Sequence, residues 1–295
     1  MKRSKWAPAI FIGPAFLWLC VFFLAPMVTT VWVSLTSQRA ADTETEFVGL
    51  KNYLKLARDP YFLSTFWAML KILVIGGIAV FALSFLFMVV LREMRWKKFA
   101  RGVMFVPYIV IPVALAIMWG VLLNPEDGLL NSALDAVGLK ALAQVWLGPD
   151  WIFTSIMGGL IWISTGFYTT LLFAGVDRIP ATFYEAAQVE GAGRWQRFRH
   201  VTIPMTWDVI GTAAVLWVIG AINTFGFIFA FSGAGATPDQ STWTPAIYLY
   251  IETFDPLNGS LRYGYGCAIA VVLTLLVSVS VLLVRRVFRR EAIQF

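Results

Sequence analysis

The sequence predicts an all-α membrane protein of six transmembrane helices with both termini on the cytoplasmic side. Three observations lead there. Hydrophobic residues make up 59% of the chain and charged ones 14%, and the mean hydropathy is +0.74, far from the balance of a soluble domain. Six apolar runs are long enough to cross about 30 Å of hydrocarbon at about 1.5 Å per residue. The basic residues gather on one side of those runs. Spans and loops use up the 295 residues, so the expectation is one transmembrane domain over 1–295 with no separate catalytic domain.

The first run, near Ala9 to Val33, follows MKRSKW, a start like that of a secretory signal. It continues through Pro26 without an A-x-A cleavage pattern, so it reads as an uncleaved span. The others lie near Ala68 to Leu91, Gly102 to Leu123, Trp151 to Val176, Val209 to Phe231 and Tyr263 to Val284. Lys71 is the one charge inside them, close enough to an end to snorkel. Cys20 and Cys267 fall within spans and give neither a disulfide framework nor metal-ligand spacing, so they read as packing residues. Trp6, Trp96, Trp151 and Trp243 sit near span ends, where aromatic belts place tryptophan irrespective of any ligand.

Charge orients the runs. Lys2, Arg3 and Lys5, then Arg92, Arg95, Lys97, Lys98 and Arg101, then Arg178, Arg194, Arg197 and Arg199, and finally Arg285, Arg286, Arg289 and Arg290 share one side. The opposite side holds Arg39, Lys51, Lys55, Arg58, Lys140 and Arg262 among most of the 17 acids. By the positive-inside rule the first side is cytoplasmic. The net charge of +6 therefore reflects topology and implies no nucleic-acid partner.

Between the fourth and fifth runs, YEAAQVEGAGRWQRFRHVTIP from Tyr184 to Pro204 is a polar helix-turn-helix on the arginine side. Pro180 ends the preceding run. Thr182 and Glu185 have the spacing of a capping box, which predicts a helix from Phe183. Gly191 and Gly193 offer a stop and turn. Arg194 to His200 predicts a second short helix, which Pro204 discourages from running into the next span.

Catalysis finds little support. His200 is the single histidine, with no serine or cysteine at a recognisable spacing for a triad. No G-x-x-x-x-G-K-[ST] phosphate loop occurs. A secondary transporter is the competing class; such proteins usually bury an ionisable residue in mid-membrane for coupling and none is present here, which leaves that class only sodium sites built from carbonyls and hydroxyls.

The loop resembles the EAA loop of permease subunits of bacterial ABC importers, whose pattern is E-A-A, three residues, G, nine residues, then I-x-L-P. Glu185, Ala186 and Ala187 are followed by Gly191 at that spacing, and Val201, Ile203 and Pro204 stand where I, L and P are expected. FVGLKNY at Phe47 to Tyr53, PY at Pro107 to Tyr108, NPEDGLLN at Asn124 to Asn131 and AGVDRIP at Ala174 to Pro180 are similar to phrases of the maltose and glycerol-phosphate type of first permease, in the same order. Ser232 to Pro238, SGAGATP, departs from that family's T-G-G-G-P phrase.

The resemblance implies a type I importer permease fold in the bacterial inner membrane. It also implies a second homologous permease in a heterodimer, two ATPase subunits carrying ATP and Mg, a periplasmic or extracellular solute-binding protein, and no cofactor in this chain. The solute implied is a sugar or sugar-like compound, with glycerol phosphate or another small solute as the alternative. Glu185, Ala186, Ala187, Gly191, Arg194 and Arg197 are the residues it assigns to ATPase coupling; Glu185 also reads as a cap of its own helix, and the arginines as topology signals or contacts to lipid phosphate.

For the solute path, Ser164, Thr165 and Tyr168 share a helical face, as do Trp217, Ala221 and Thr224 with Asn223 adjacent. Aromatic stacking with neutral hydroxyl and amide groups suits an uncharged sugar. The same residues also suit interhelical packing.

Overall fold

The computed structural model describes residues 7–39, 45–92, 94–231, 238–255 and 261–289. Among them the chain is almost entirely helical, with one isolated antiparallel bridge between Thr36 and Phe47. The charges at Lys2, Arg3, Lys5 and Arg290, Trp6, and the SGAGATP phrase up to Thr237 lie outside the described residues.

In chain order the helices are α1 (Phe11–Ser34), α2 (Lys51–Leu56), α3 (Pro60–Arg92), α4 (Lys97–Ile109), α5 (Pro112–Leu122) and α6 (Leu129–Ala136). Then come α7 (Ile152–Val176), α8 (Ala181–Val189), α9 (Arg194–Met205) and α10 (Trp207–Ile222), α11 (Gly226–Phe231), α12 (Pro245–Phe254) and α13 (Tyr263–Phe288). Four of these, α1, α3, α7 and α13, are each long and apolar enough to cross a membrane. The pairs α4–α5 and α9–α10 pass the same test together, bent by 98° and 73°.

These bends correct the expected third and fifth spans. Gly102 to Leu123 is interrupted at Val110 and Ile111, both in extended conformation. Pro112 is the cause: it excludes the helical region for the residue before it, and its fixed φ starts the next helix at no cost. Val209 to Phe231 ends as a helix at Ile222, and residues 223–225 separate it from α11. α3 begins at Pro60, ahead of the expected Ala68, because the Asp59 carboxylate accepts from the N–H groups of Tyr61 and Phe62 at 2.9 and 3.3 Å, as a helix cap does. Lys71 is exposed, with its ammonium 5.3 Å from the centre of the Phe153 ring.

Helix α1 has almost no protein cover. Phe11 is 84% and Phe22 60% exposed, and a helix apolar on every side needs hydrocarbon around it. Its segment Cys20–Leu24 is wound as a π-helix ahead of Pro26, whose missing N–H perturbs the ladder. Thr29 and Thr30 donate back to the Ala25 and Pro26 carbonyls at 2.9 and 2.8 Å.

The chain divides into two compact units, one of residues up to Ser64 with Pro245–Leu276, the other of Thr65–Thr244 with the segment from Val277 on. In the first unit the FVGLKNY phrase is a staple. The Asn52 amide donates to the Ser34 and Thr36 carbonyls at 2.9 and 2.8 Å, and the hydroxyls of Tyr53 and Ser34 lie 2.6 Å apart. Gly264 lets α13 approach this corner, since a Cβ there would lie 2.2 Å from the Thr36 carbonyl oxygen.

The second unit is organised around α7, which packs on α3, α4 and α10. Its core joins Met88 and Leu91 of α3, Leu172, Phe173 and Val176 of α7, and Ile210 of α10. Gly166 is where α4 crosses: a Cβ there would sit 1.7 Å from the Met104 carbonyl oxygen. NPEDGLLN is again structural. Asn124 caps its own turn through the N–H groups of Glu126 and Asp127, and Asn131 donates to the Gln144 carbonyl and accepts from the Trp146 indole at 2.7 Å.

Candidate functional site

The polar connection between α7 and α10 leaves most of its residues exposed, with Tyr184 and Thr202 buried beneath them. α7 ends at Val176, and the Asp177 carboxylate accepts from the Arg101 guanidinium at 3.0 Å, which ties AGVDRIP to α4. Pro180 is extended and α8 starts at Ala181. This corrects the expected capping box: no side chain caps the helix, and Thr182 and Glu185 both lie inside it. The proline-fixed backbone sets the start two residues before Phe183, so Glu185 is too far along to reach back.

Residues on successive positions of α8 point about 100° apart, and the helix uses this. Tyr184 is buried. Its ring lies under the Arg92 guanidinium, 3.9 Å from ring centre to Cζ, and its hydroxyl is 3.0 Å from that of Thr202. Glu185 and Ala186 are exposed and Ala187 is half-buried. The Glu185 carboxylate has no hydrogen-bond or ion-pair partner among the described residues. Val189 is 89% exposed, an uncovered apolar side chain on the same short helix.

Gly191 has φ of +79°, the left-handed conformation that glycine adopts at a helix end. The N–H groups of Gly191 and Ala192 bond to the Gln188 and Ala187 carbonyls at 3.0 and 2.9 Å. Past the turn, the Gln196 side chain accepts from the Gly193 N–H at 2.8 Å and so starts α9. The expected second helix, Arg194 to His200, is longer: it winds as a π-helix over Phe198–Thr202 and runs to Met205. The chain breaks at Thr206, two residues after Pro204, where the Thr206 hydroxyl donates to the Thr202 carbonyl at 2.7 Å. Arg194 is exposed and Arg197 half-buried. His200 is exposed, its Nδ1 3.0 Å from the Gln196 carbonyl.

The residues expected along a solute path fall into two sets. Thr165, Tyr168 and Trp217 are buried. Thr165 bonds to the Ile161 carbonyl at 2.6 Å, and the Trp217 indole to the Leu73 carbonyl at 2.9 Å. Tyr168 and Trp217 do meet, edge to face with ring centres 5.8 Å apart. Ser164 and Thr224 are half-buried and Asn223 exposed. Asn223 and Thr224 lie just past the end of α10, bonded back to the Ile219 and Gly220 carbonyls at 2.8 and 2.8 Å.

Sequence reasoning missed Arg92 and Tyr184 as partners, because their contact joins the end of α3 to α8 across a long stretch of chain. The aromatic at Tyr184, next to the E-A-A run in a polar loop, is the one local signal. Among the described residues no group of three or more His, Cys, Asp or Glu side chains is placed to hold a metal ion.

A profile of the family described as "Binding-protein-dependent transport system inner membrane component" matches residues 85–293. A probable ABC transporter permease protein of Bacillus subtilis is 31% identical, covering 94% of both chains. A trehalose/maltose transport system permease protein of Thermococcus litoralis is 29% identical, over 91% of this chain and 88% of that one. The fold matches, at a TM-score of 0.81 and 20% identity over 97% of this chain and 96% of the other, a crystal structure of a bacterial ABC transporter involved in import of the acidic polysaccharide alginate.

Proposed function

Since the chain belongs to the family of binding-protein-dependent transport system inner membrane components, we propose that it is the permease subunit of an ATP-driven ABC importer for a sugar or sugar-like solute. The observation that carries this is α8: one residue, Tyr184, is anchored in the helix core, and the next, Glu185, stands uncovered. The relatives named for trehalose/maltose and the alginate importer fold support a carbohydrate solute.

In this reading the chain crosses the inner membrane six times as a single domain, with α4–α5 and α9–α10 as bent spans and both termini cytoplasmic. A second homologous permease, two ATPase subunits holding ATP and Mg, and a solute-binding protein complete the assembly. The chain performs no chemistry. ATP closes the ATPase pair, Glu185, Ala186, Ala187 and Gly191 dock in a groove there with Arg194 and Arg197 at the margin, and α8 transmits the motion to α3 and α7. Ser164, Asn223 and Thr224 offer polar groups to the solute, with Thr165, Tyr168 and Trp217 as the wall behind them.

The test is Glu185→Lys in the complete transporter reconstituted in vesicles. Solute uptake and solute-stimulated ATP hydrolysis are expected to be lost while the chain remains folded. Retained uptake would overturn the assignment.

A further inference from the structure

Beside the anchored face of α8 lies a cavity of about 240 Å³, lined by Arg92, Arg194, Arg197 and Gln188 over an apolar floor that includes Met88 and Phe198. A single water needs only about 10–15 Å³ of such space, so the cavity admits a larger group. Three guanidiniums face it, and none of the described residues lining it is acidic. The Asp177 carboxylate, the acid nearest in sequence to its α7 wall, is engaged by Arg101.

Two of the arginines are held in ways that suit an anion. Arg92 is fixed from below by the Tyr184 ring at 3.9 Å, which leaves its N–H edges outside that contact. Arg197 Nε is buried and has no hydrogen-bond partner, although a buried donor without an acceptor is rare. A tetrahedral group with several anionic oxygens answers both conditions, because the planar guanidinium fork matches it two bonds at a time. The apolar floor and the place of Arg92 at the last residue of the candidate span α3 put the cavity where a headgroup with acyl chains can reach it.

We propose that this cavity is a phosphate-binding site, taking the headgroup phosphate of an anionic lipid or a free phosphate. An occupant would join the end of α3 to α8 and α9 through charge. The site stands on the cavity and its arginines and holds whether or not Glu185 meets an ATPase.

The test uses the purified full chain in detergent micelles. Native mass spectrometry measures retention of phosphatidylglycerol against phosphatidylcholine of the same acyl chains. A parallel thermal melt compares inorganic phosphate with chloride at equal ionic strength. The wild type is expected to retain phosphatidylglycerol about tenfold over phosphatidylcholine, since each basic residue near the membrane surface favours an anionic lipid. Arg92→Gln with Arg197→Gln removes the preference, Arg92→Lys keeps part of it, and Arg95→Gln with Lys98→Gln, an equal loss of charge outside the cavity, leaves it unchanged. If the lipid shows no preference but inorganic phosphate raises the wild-type midpoint and not that of the cavity double variant, the occupant is free phosphate and the site stands. Absence of both effects in the wild type overturns the proposal. So does an Arg95→Gln, Lys98→Gln chain that loses the preference as the cavity double variant does, since attraction would then be a matter of overall charge.

Discussion

Tyr184 separates two ways of holding α8, by packing and by hydrogen bonding, and truncating it in two steps tells them apart. Tyr184→Phe keeps the ring beneath Arg92 and deletes only the 3.0 Å contact with the Thr202 hydroxyl. A hydroxyl pair of this kind contributes about 0.5–1.5 kcal/mol. Tyr184→Ala removes the buried ring too, a change that costs about 3–5 kcal/mol for an aromatic in a core, with about 0.5–1 kcal/mol more for the lost cation–π contact. At about 1.4 kcal/mol per tenfold, the first change raises the local opening equilibrium roughly two- to tenfold and the second by two orders of magnitude or more. The assay is hydrogen exchange of the α8 amides in lipid nanodiscs, read by mass spectrometry, with the amides of Glu190, Gly191 and Ala192 as reporters because their bonds close the helix end. Opening of this kind is local, so α7 should keep its protection. Equal loss in both variants would mean that the hydroxyl pair holds the loop. Unchanged exchange in Tyr184→Ala would mean that α8 is not anchored through Tyr184 at all.

Gly166→Ala places a Cβ where only 1.7 Å separates it from the Met104 carbonyl oxygen, so α4 must move off α7; a loss of at least about 1–3 kcal/mol should show as a lower unfolding midpoint and poor recovery of folded protein. Burial tends to raise the pKa of Asp59, but the hydroxyl donors Tyr248 and Tyr265, each 2.6 Å from its Oδ2, and the N–H groups of Phe62 and Tyr61 outweigh it and hold the carboxyl below its usual value of 3.8. A folded pKa below the unfolded one contributes stability that is complete above the unfolded value and lost as pH falls through the folded one. The midpoint of the wild type should therefore hold down to about pH 4 and fall below it, and Asp59→Asn should remove that acid limb. Arg262→Ala leaves the buried Glu252 carboxylate without the guanidinium that grips it from Nε at 2.8 Å; breaking a buried pair costs about 3–5 kcal/mol, and an Arg262→Ala, Glu252→Gln double variant should recover part of the midpoint.

Helix existence was legible because lipid imposes it: apolar runs long enough to cross hydrocarbon have no alternative to the helix, and four of the six expected runs coincide with one long helix at nearly the expected place, the other two with a bent pair. The bends were not, although the prolines were in view. Pro26 is absorbed by a π turn inside a continuous α1, and Pro107 sits within α4, while Pro112 breaks the chain by 98°. A proline bends a helix only as far as neighbouring contacts allow, and those contacts, α11 against α5 among them, join residues far apart in sequence. The capping box failed for a related reason. Thr182 and Glu185 have the right identities at the right spacing, but Pro180 had already started the helix.

The phrases that carried the family resemblance turn out to be chiefly scaffold. Asn52 and Tyr53 close the corner after α1, Asn124 and Asn131 build the turn into α6, and Asp177 ties α7 to α4. Each must satisfy backbone or side-chain polar groups near a membrane edge, where an unpaired one is costly. Their chemistry is therefore fixed by the fold and indifferent to the solute, which is why they identify the family and leave the cargo open. The residues free to vary with cargo should be polar groups that the fold does not already use. Trp217 and Thr165 spend theirs on the Leu73 and Ile161 carbonyls. Exchanging Asn223, which is exposed and bonded only within its own helix end, should thus alter solute preference more than exchanging Trp217, whose loss should act first on folding.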